Sequence, residues 1–369
     1  LILEIKVFFE PKSDFNGRLE QFDNIVSFSE VTRNWTSNAA TEDILEPLHD
    51  KDICVITTED CSGLNSHVLE NFEFLVKLFN TAELDKVWIH NPPKFFLDKI
   101  SLYSEAIPIY HHQYPKVTEL LLREVNNQFD EHIIGQQKAK KIICRKLIAQ
   151  MIRPSNKPLV LMFFGKPGIG KTETAKYLSK VLYGNDEILR EQMTMVGGEI
   201  SVKYFKSTSH TEDSFSKKLL NRKSNVILLD EFALAPHFFH TSFFQMFDEG
   251  IYMDQNFTVD VSNSIIICTS NLLSIQDMEK NIDEALLSRF DGFIPFTEFT
   301  LEEKEKIIFN LFDELVNKEV MKPEYFDKIS KDLVLQQVRR KLQNLPNMRA
   351  IRKYMEDCVS DILMNEILK

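Results

Sequence analysis

Gly165-Lys166-Pro167-Gly168-Ile169-Gly170-Lys171-Thr172 fits the spacing G-x-x-x-x-G-K-[ST]. Glycines at such spacing let consecutive backbone N–H groups turn toward phosphate oxygens, and a helix that follows presents its positive end to them. Lys171 would reach the β- and γ-phosphates and Thr172 would ligate Mg²⁺. Asp230 and Glu231 close the apolar run Val226–Leu229, Asp230 suited to hold the metal through water and Glu231 to polarise an attacking water. Asn271, at the end of the next apolar run, is placed to orient that water. These residue types predict ATP and Mg²⁺ as the cofactors of a hydrolytic site.

Such a loop works only between a buried strand and a helix. Leu159–Phe164, Val226–Leu229 and Ser264–Thr269 are continuous apolar runs, as parallel strands covered on both faces require, and Glu173–Leu182 reads as the helix after the loop. Beyond about Phe296 only amphipathic helical patterns remain, which predicts a small helical domain. Upstream, Ile53–Thr58, Val87–His90 and Ile107–Tyr110 are strand-like and alternate with helical stretches at Val68–Asn80 and Phe95–Tyr103, the pattern of a small open α/β sheet. A turn at His111–Pro115 precedes a helical pattern from Lys116. The expected domains are thus 1–115, an α/β domain for partner or substrate recognition; 116–296, nucleotide-binding; and 297–369, a helical lid.

At this point residues 116–369 resemble a family, the Clp-type AAA+ unfoldases and in particular the ATPase module of their C-terminal ring. Ile133-Ile134-Gly135-Gln136 is similar to the family's nucleotide box, whose apolar residues flank adenine. Asp230 through Asn271 follows the family pattern, including Asp248, Gly250, Thr258, Val259, Asp260 and Thr269-Ser270-Asn271. The resemblance implies a P-loop AAA+ parallel sheet with a C-terminal lid. By the same resemblance, ATP is held by Ile133, Ile134, Lys166, Pro167, Gly168, Ile169, Gly170, Lys171, Thr172 and Glu173. Ser288-Arg289-Phe290-Asp291 looks like the family's arginine-finger box, making Arg289 a catalytic group inserted into the neighbouring subunit's site, and Asn347-Met348-Arg349 makes Arg349 the lid's sensor of the γ-phosphate. An arginine supplied in trans implies a homo-oligomeric, hexamer-like ring, and the family implies ATP-driven remodelling or unfolding of a protein substrate. A nucleotide-dependent switch controlling an effector partner without threading is the alternative.

Departures from the family sharpen the choice. Its aromatic pore loop carries glycines, whereas Ser201-Val202-Lys203-Tyr204-Phe205-Lys206 has none, so Tyr204 and Phe205 either grip a polypeptide or pack in the core or an edge strand. No isoleucine-glycine-apolar tripeptide stands between Asn271 and Arg289, which argues against docking on a Clp peptidase. The resemblance does not extend to the first 115 residues, whose pattern matches no family recognised here.

Composition bounds the rest. At 369 residues and 43% hydrophobic the chain is expected to hold two or three domains. Residues 1–115 carry 9 Lys+Arg against 19 Asp+Glu, the remainder 35 against 36, so the acidity is amino-terminal and a nucleic-acid motor is disfavoured. No run of ~18 apolar residues and no signal-peptide pattern occurs, so no membrane partner and a cytoplasmic location are expected. The first residue is Leu, as expected of a processed or trimmed start with sequence upstream. Five scattered cysteines make neither a disulfide framework nor a zinc site. His237/His240 and His111/His112 have metal-like spacing but no third ligand, and structural roles are expected for them.

Overall fold

The structure is a computed structural model that describes residues 3–33, 41–63, 66–153, 155–195, 198–207, 209–317, 322–326 and 328–368. It contains two five-stranded, wholly parallel sheets and a helical tail.

The first sheet comprises β1 (Glu4–Phe9), β2 (Ile25–Ser27), β3 (Ile53–Ile56), β4 (Lys86–His90) and β5 (Ile109–His111), in spatial order β2-β3-β4-β1-β5. Alternate side chains serve opposite faces. Val7, Cys54, Ile56, Val87 and Ile89 pack under the helices Phe72–Thr81 and Lys94–Tyr103, while Phe8, Ile53, Val55 and Trp88 pack with Phe15 of the helix Lys12–Leu19. Burial on both faces is why β3 reads as an unbroken apolar run. The stretch expected as one helix over Val68–Asn80 is two, Ser66–Glu70 and Phe72–Thr81, because Asn71 accepts a hydrogen bond from the Phe74 N–H and caps the second.

The second sheet comprises β6 (Leu159–Phe164), β7 (Leu189–Gln192), β8 (Val226–Asp230), β11 (Ile265–Ser270) and β12 (Gly292–Pro295), in order β12-β6-β11-β8-β7. A separate antiparallel hairpin, β9 (Ile251–Met253) and β10 (Thr258–Asp260), precedes β11. One face of the sheet, through Leu159, Leu161 and Phe163, packs on the helices Glu119–His132, Gln137–Met151 and Lys171–Tyr183 and runs on into the tail. The other, through Val160 and Met162, meets a phenylalanine-rich cluster of Phe205, Phe215, Phe232, Phe243 and Phe247. At about 1.5–3 kcal/mol per fully buried side chain, that cluster is a main reason this half of the module is ordered. The tail helices Leu301–Leu315, Lys331–Lys341 and Met348–Ile367 share the first core through Ile308, Val334 and Ile351.

Candidate active site

The loop Gly165–Gly170 joins β6 to the helix Lys171–Tyr183, and the lysine is that helix's first residue. Gly165 has φ +135°, and a Cβ there would stand 2.5 Å from the Phe296 carbonyl oxygen, so only glycine fits the entry to the loop. Lys171 is almost wholly buried, with Nζ donating to the carbonyls of Gly165 (2.5 Å) and Lys166 (2.9 Å) and to Asn271 Oδ1 (3.0 Å). Burial, aided by the nearby Arg349 charge and opposed by Asp230 and Glu231, pushes its ammonium down to about 8.

Strands β8 and β11 bring the acids and the amide to the same edge. Asp230 Oδ1 accepts from Thr269 Oγ1 at 2.5 Å, and Thr269 Oγ1 in turn accepts the Glu231 N–H at 2.9 Å. Glu231 sits at φ +57°, an unusual backbone for a non-glycine residue that turns its carboxylate back over the edge. Its Oε1 accepts from Asn271 Nδ2 at 3.2 Å and its Oε2 from Gln192 Nε2 at 2.7 Å. Asp230 Oδ2 is held by Arg190 through Nε at 3.0 Å and through Nη2.

Two contiguous cavities meet at Gly170, Glu173 and Met348. The polar one, about 470 Å³, is walled by Lys171, Thr172, Asp230, Glu231, Asn271 and Arg349. The more apolar one, about 450 Å³, is walled by Ile133, Ile134, Ile169, Tyr177, Phe299 and Leu311. A charged cleft leading into an apolar slot matches a phosphate chain joined to a purine. Thr172 and Asp230 offer a hydroxyl and a carboxylate on that cleft, hard oxygen donors few enough to leave Mg²⁺ most of its waters.

Of the residues named from the sequence, Pro167 and Gly168 also line the phosphate cavity. Lys166 lines neither; its side chain pairs with Glu298, and only its carbonyl meets Lys171. Arg289 lies outside both cavities, where Nε pairs with Asp248 at 2.6 Å and the guanidinium stacks over Phe244 at 4.3 Å. Arg190, Gln192 and Arg352 line the phosphate cavity and were missed: β7 is a polar edge strand with no apolar run to mark it, and Arg352 is one more cation on an amphipathic helix.

The family model described as AAA domain (Cdc48 subfamily) matches residues 156–331, from the start of the second sheet into the tail. The chain carries a Clp-type AAA+ ATPase module. It is 27% identical over 217 residues to the ATP-dependent Clp protease ATP-binding subunit ClpL of Staphylococcus aureus (strain bovine RF122 / ET3-1), and equally to that of strain USA300. The match covers 53% of this chain and 31% of the relative, so the chain spans about a third of the length of the curated relatives it matches. Among solved structures, the S. cerevisiae Hsp104–ADP complex is similar with a TM-score of 0.59 at 13% identity, covering 99% of this chain and 88% of that one. A closed state of Hsp104 with ATPγS and FITC casein gives 0.52 at 14%, covering 99% and 87%. At these identities the likeness is one of fold.

In the AAA+ module the aromatic pair proposed for gripping a polypeptide lies on the helix Gly198–Lys206. Phe205 is 3% exposed among Phe215, Phe239 and Phe243, and Tyr204 donates its hydroxyl to Glu191 Oε1 at 2.5 Å. Core packing is the alternative realised. Among the described residues there is no cluster of three metal-ligating groups; His240 is buried against Phe232, His111 stacks on Phe9, and His112 pairs with Asp14. The side chain of His237 lies outside the described residues. All five cysteines are free thiols, four of them buried. No described helix is long and apolar enough to cross a membrane.

Proposed function

We propose that the chain hydrolyses Mg²⁺-ATP in a ring of its own copies and uses the cycle to remodel a protein partner. The observation that carries this is the convergence of Lys171, Thr172, Asp230, Glu231 and Asn271 on one cleft, with Arg289 held outside it. In this reading Lys171 binds the phosphates, and Glu231, fixed by two amide donors, takes the proton from an attacking water. Asn271 touches both groups and sets their separation. Bound Mg²⁺ supplies charge neutralisation of the phosphates from Thr172 and Asp230. Arg349 and Arg352, on the lid, face the same cleft and respond to the γ-phosphate. Arg289 has no place in its own cleft, so it serves a neighbour, and Ile133, Ile134 and Ile169 flank adenine.

A second reading, a nucleotide-dependent switch that works on an effector without threading it, is favoured by the burial of Phe205 and the tethering of Tyr204. Electron microscopy of Glu231→Gln with ATP separates the readings. Rings with density in their centre support remodelling, empty rings support the switch, and monomers at every concentration would defeat both.

A further inference from the structure

Numbering the strands of each sheet by chain order alone gives one arrangement twice: 5-1-4-3-2, all parallel. The likeness extends to the edge where nucleotide binds. In the AAA+ sheet the first strand ends at Phe164 and its helix opens with Lys171, with Gly165–Gly170 between them. In the amino-terminal sheet the first strand ends at Phe9 and its helix also opens with a lysine, Lys12, with only Glu10 and Pro11 between. The fourth strand of each is followed by an asparagine, Asn271 after Ser270 and Asn91 after His90.

The amino-terminal edge is nevertheless closed. A phosphate needs several backbone N–H groups converging from a glycine loop; two residues cannot supply them, and Pro11 has no N–H at all. Glu10 stands in the phosphate's place, 3% exposed, its carboxylate held by Arg18 Nε at 2.8 and 3.1 Å. Asn91 staples the short loop, donating Nδ2 to the Glu10 carbonyl at 3.0 Å and accepting the Glu10 N–H at 3.2 Å. Lys12 Nζ turns away to Glu59 at 2.7 Å.

What this edge does hold is the AAA+ module. The leading amide of the helix Lys12–Leu19, of the kind that a phosphate-binding sheet aims at its ligand, donates to Asn221 Oδ1 at 3.2 Å, and that of Lys94–Tyr103 donates to the Asn256 carbonyl in the β9–β10 turn at 2.7 Å. Ser62, beyond β3, donates to the His210 carbonyl at 2.7 Å and accepts from Lys217 Nζ at 3.0 Å. Tyr114, beyond β5, donates to the Arg222 carbonyl at 2.5 Å and lies under its guanidinium.

We propose that residues 4–111 are a second copy of the nucleotide-binding sheet, closed to nucleotide, whose carboxyl edge grips the 209–222 segment and the β9–β10 turn of the AAA+ module in place of a ligand. The gripped segment adjoins the catalytic acids: Lys218 pairs with Glu191 on β7, between Arg190, which holds Asp230, and Gln192, which holds Glu231.

Calorimetric titration of the full chain with ATPγS tests the closure. One nucleotide per chain is expected, lost entirely in Lys171→Ala and kept in Lys12→Ala. Two per chain, or binding that survives Lys171→Ala and disappears when Lys12→Ala is added, overturns it. Amide hydrogen exchange on the same chain tests the grip. The Lys12 and Lys94 amides should be protected with or without nucleotide, and Ser62→Ala/Asn221→Ala should speed exchange across 209–222 by about tenfold while β6 and β11 stay protected. Unprotected Lys12 and Lys94 in the unaltered chain, or unchanged exchange across 209–222 in the double variant, refutes the grip.

Discussion

Asn271 bridges Lys171 and Glu231, its Oδ1 accepting from the ammonium at 3.0 Å and its Nδ2 donating to the carboxylate at 3.2 Å. One amide thus spaces the phosphate-binding cation from the acid assigned to the water. If those assignments hold, Glu231→Gln binds ATP yet turns it over ~10²–10⁴-fold more slowly, the range of a lost general base. Lys171→Ala fails at binding instead. Phosphate release and nucleotide binding, measured on both variants, check the split; equal hydrolysis by Glu231→Gln and the unaltered chain would remove the acid from its role.

On the proposal that Arg289 completes a neighbour's site, Arg289→Ala lowers kcat by ~10³–10⁵ without weakening nucleotide binding. Mixing Arg289→Ala chains with Glu231→Gln chains restores part of the activity, because some interfaces then pair an intact acid with an intact arginine. Full activity of Arg289→Ala at a dilution where the protein is monomeric would show that the arginine works elsewhere.

Phe205 and Tyr204 separate stability from output. Truncating a phenylalanine as buried as Phe205 costs about 3–5 kcal/mol, so Phe205→Ala lowers the melting temperature and carries no information about gripping. Tyr204→Phe removes only the hydrogen bond to Glu191. Under the switch reading it retains the ring while shifting kcat, since Glu191 lies between the two residues that hold the catalytic acids. A Phe205→Ala protein that melts with the unaltered chain and loses only its effect on a partner would return both aromatics to the threading role.

Lys171 gives the free site a pH dependence. Its ammonium, pushed down to about 8 by burial, sheds its proton above that pH, so ATP affinity falls as pH rises through 8 and binding takes up a proton there. Calorimetry in two buffers of different ionisation enthalpy counts that proton, and Lys171→Arg, charged throughout, has no such uptake. Stability moves the opposite way. The unfolded chain keeps this proton to 10.5 and the native chain does not, so this group favours the native state increasingly between 8 and 10.5. Affinity that stays level from pH 7 to 9.5 would contradict the low ammonium value.

The nucleotide half of the molecule was legible because its signals are local: a glycine spacing, strands apolar on both faces, acids at a strand's end. The polar strand β7 was not, since Leu189–Gln192 carries one apolar residue and is a strand only through pairing with β8. The helix over Gly198–Lys206 was ambiguous for a related reason: Tyr204 and Phe205 are adjacent, and whether they face solvent or core depends on Phe215 and Phe243, which arrive from later in the chain. The first sheet was recognised only as alternating α/β, with β1 and β2 unmarked, and strand order is a property of the folded chain that no stretch of sequence displays.

On the proposal above, the two-residue connection Glu10–Pro11 puts nucleotide binding out of reach of the amino-terminal sheet. Substitution alters side chains, whereas a phosphate cradle needs additional backbone, so no series of point changes produces one here. An insertion would do so only if the Glu10–Arg18 and Glu10–Asn91 bonds were abandoned with it. Single changes within that crevice are costly as well, because Glu10 is buried and removing Arg18 alone would leave its charge unpaired. Glu10 and Arg18 should therefore change only as a pair, as should the contacts of Ser62, Lys217 and Asn221 that join the two halves of the molecule.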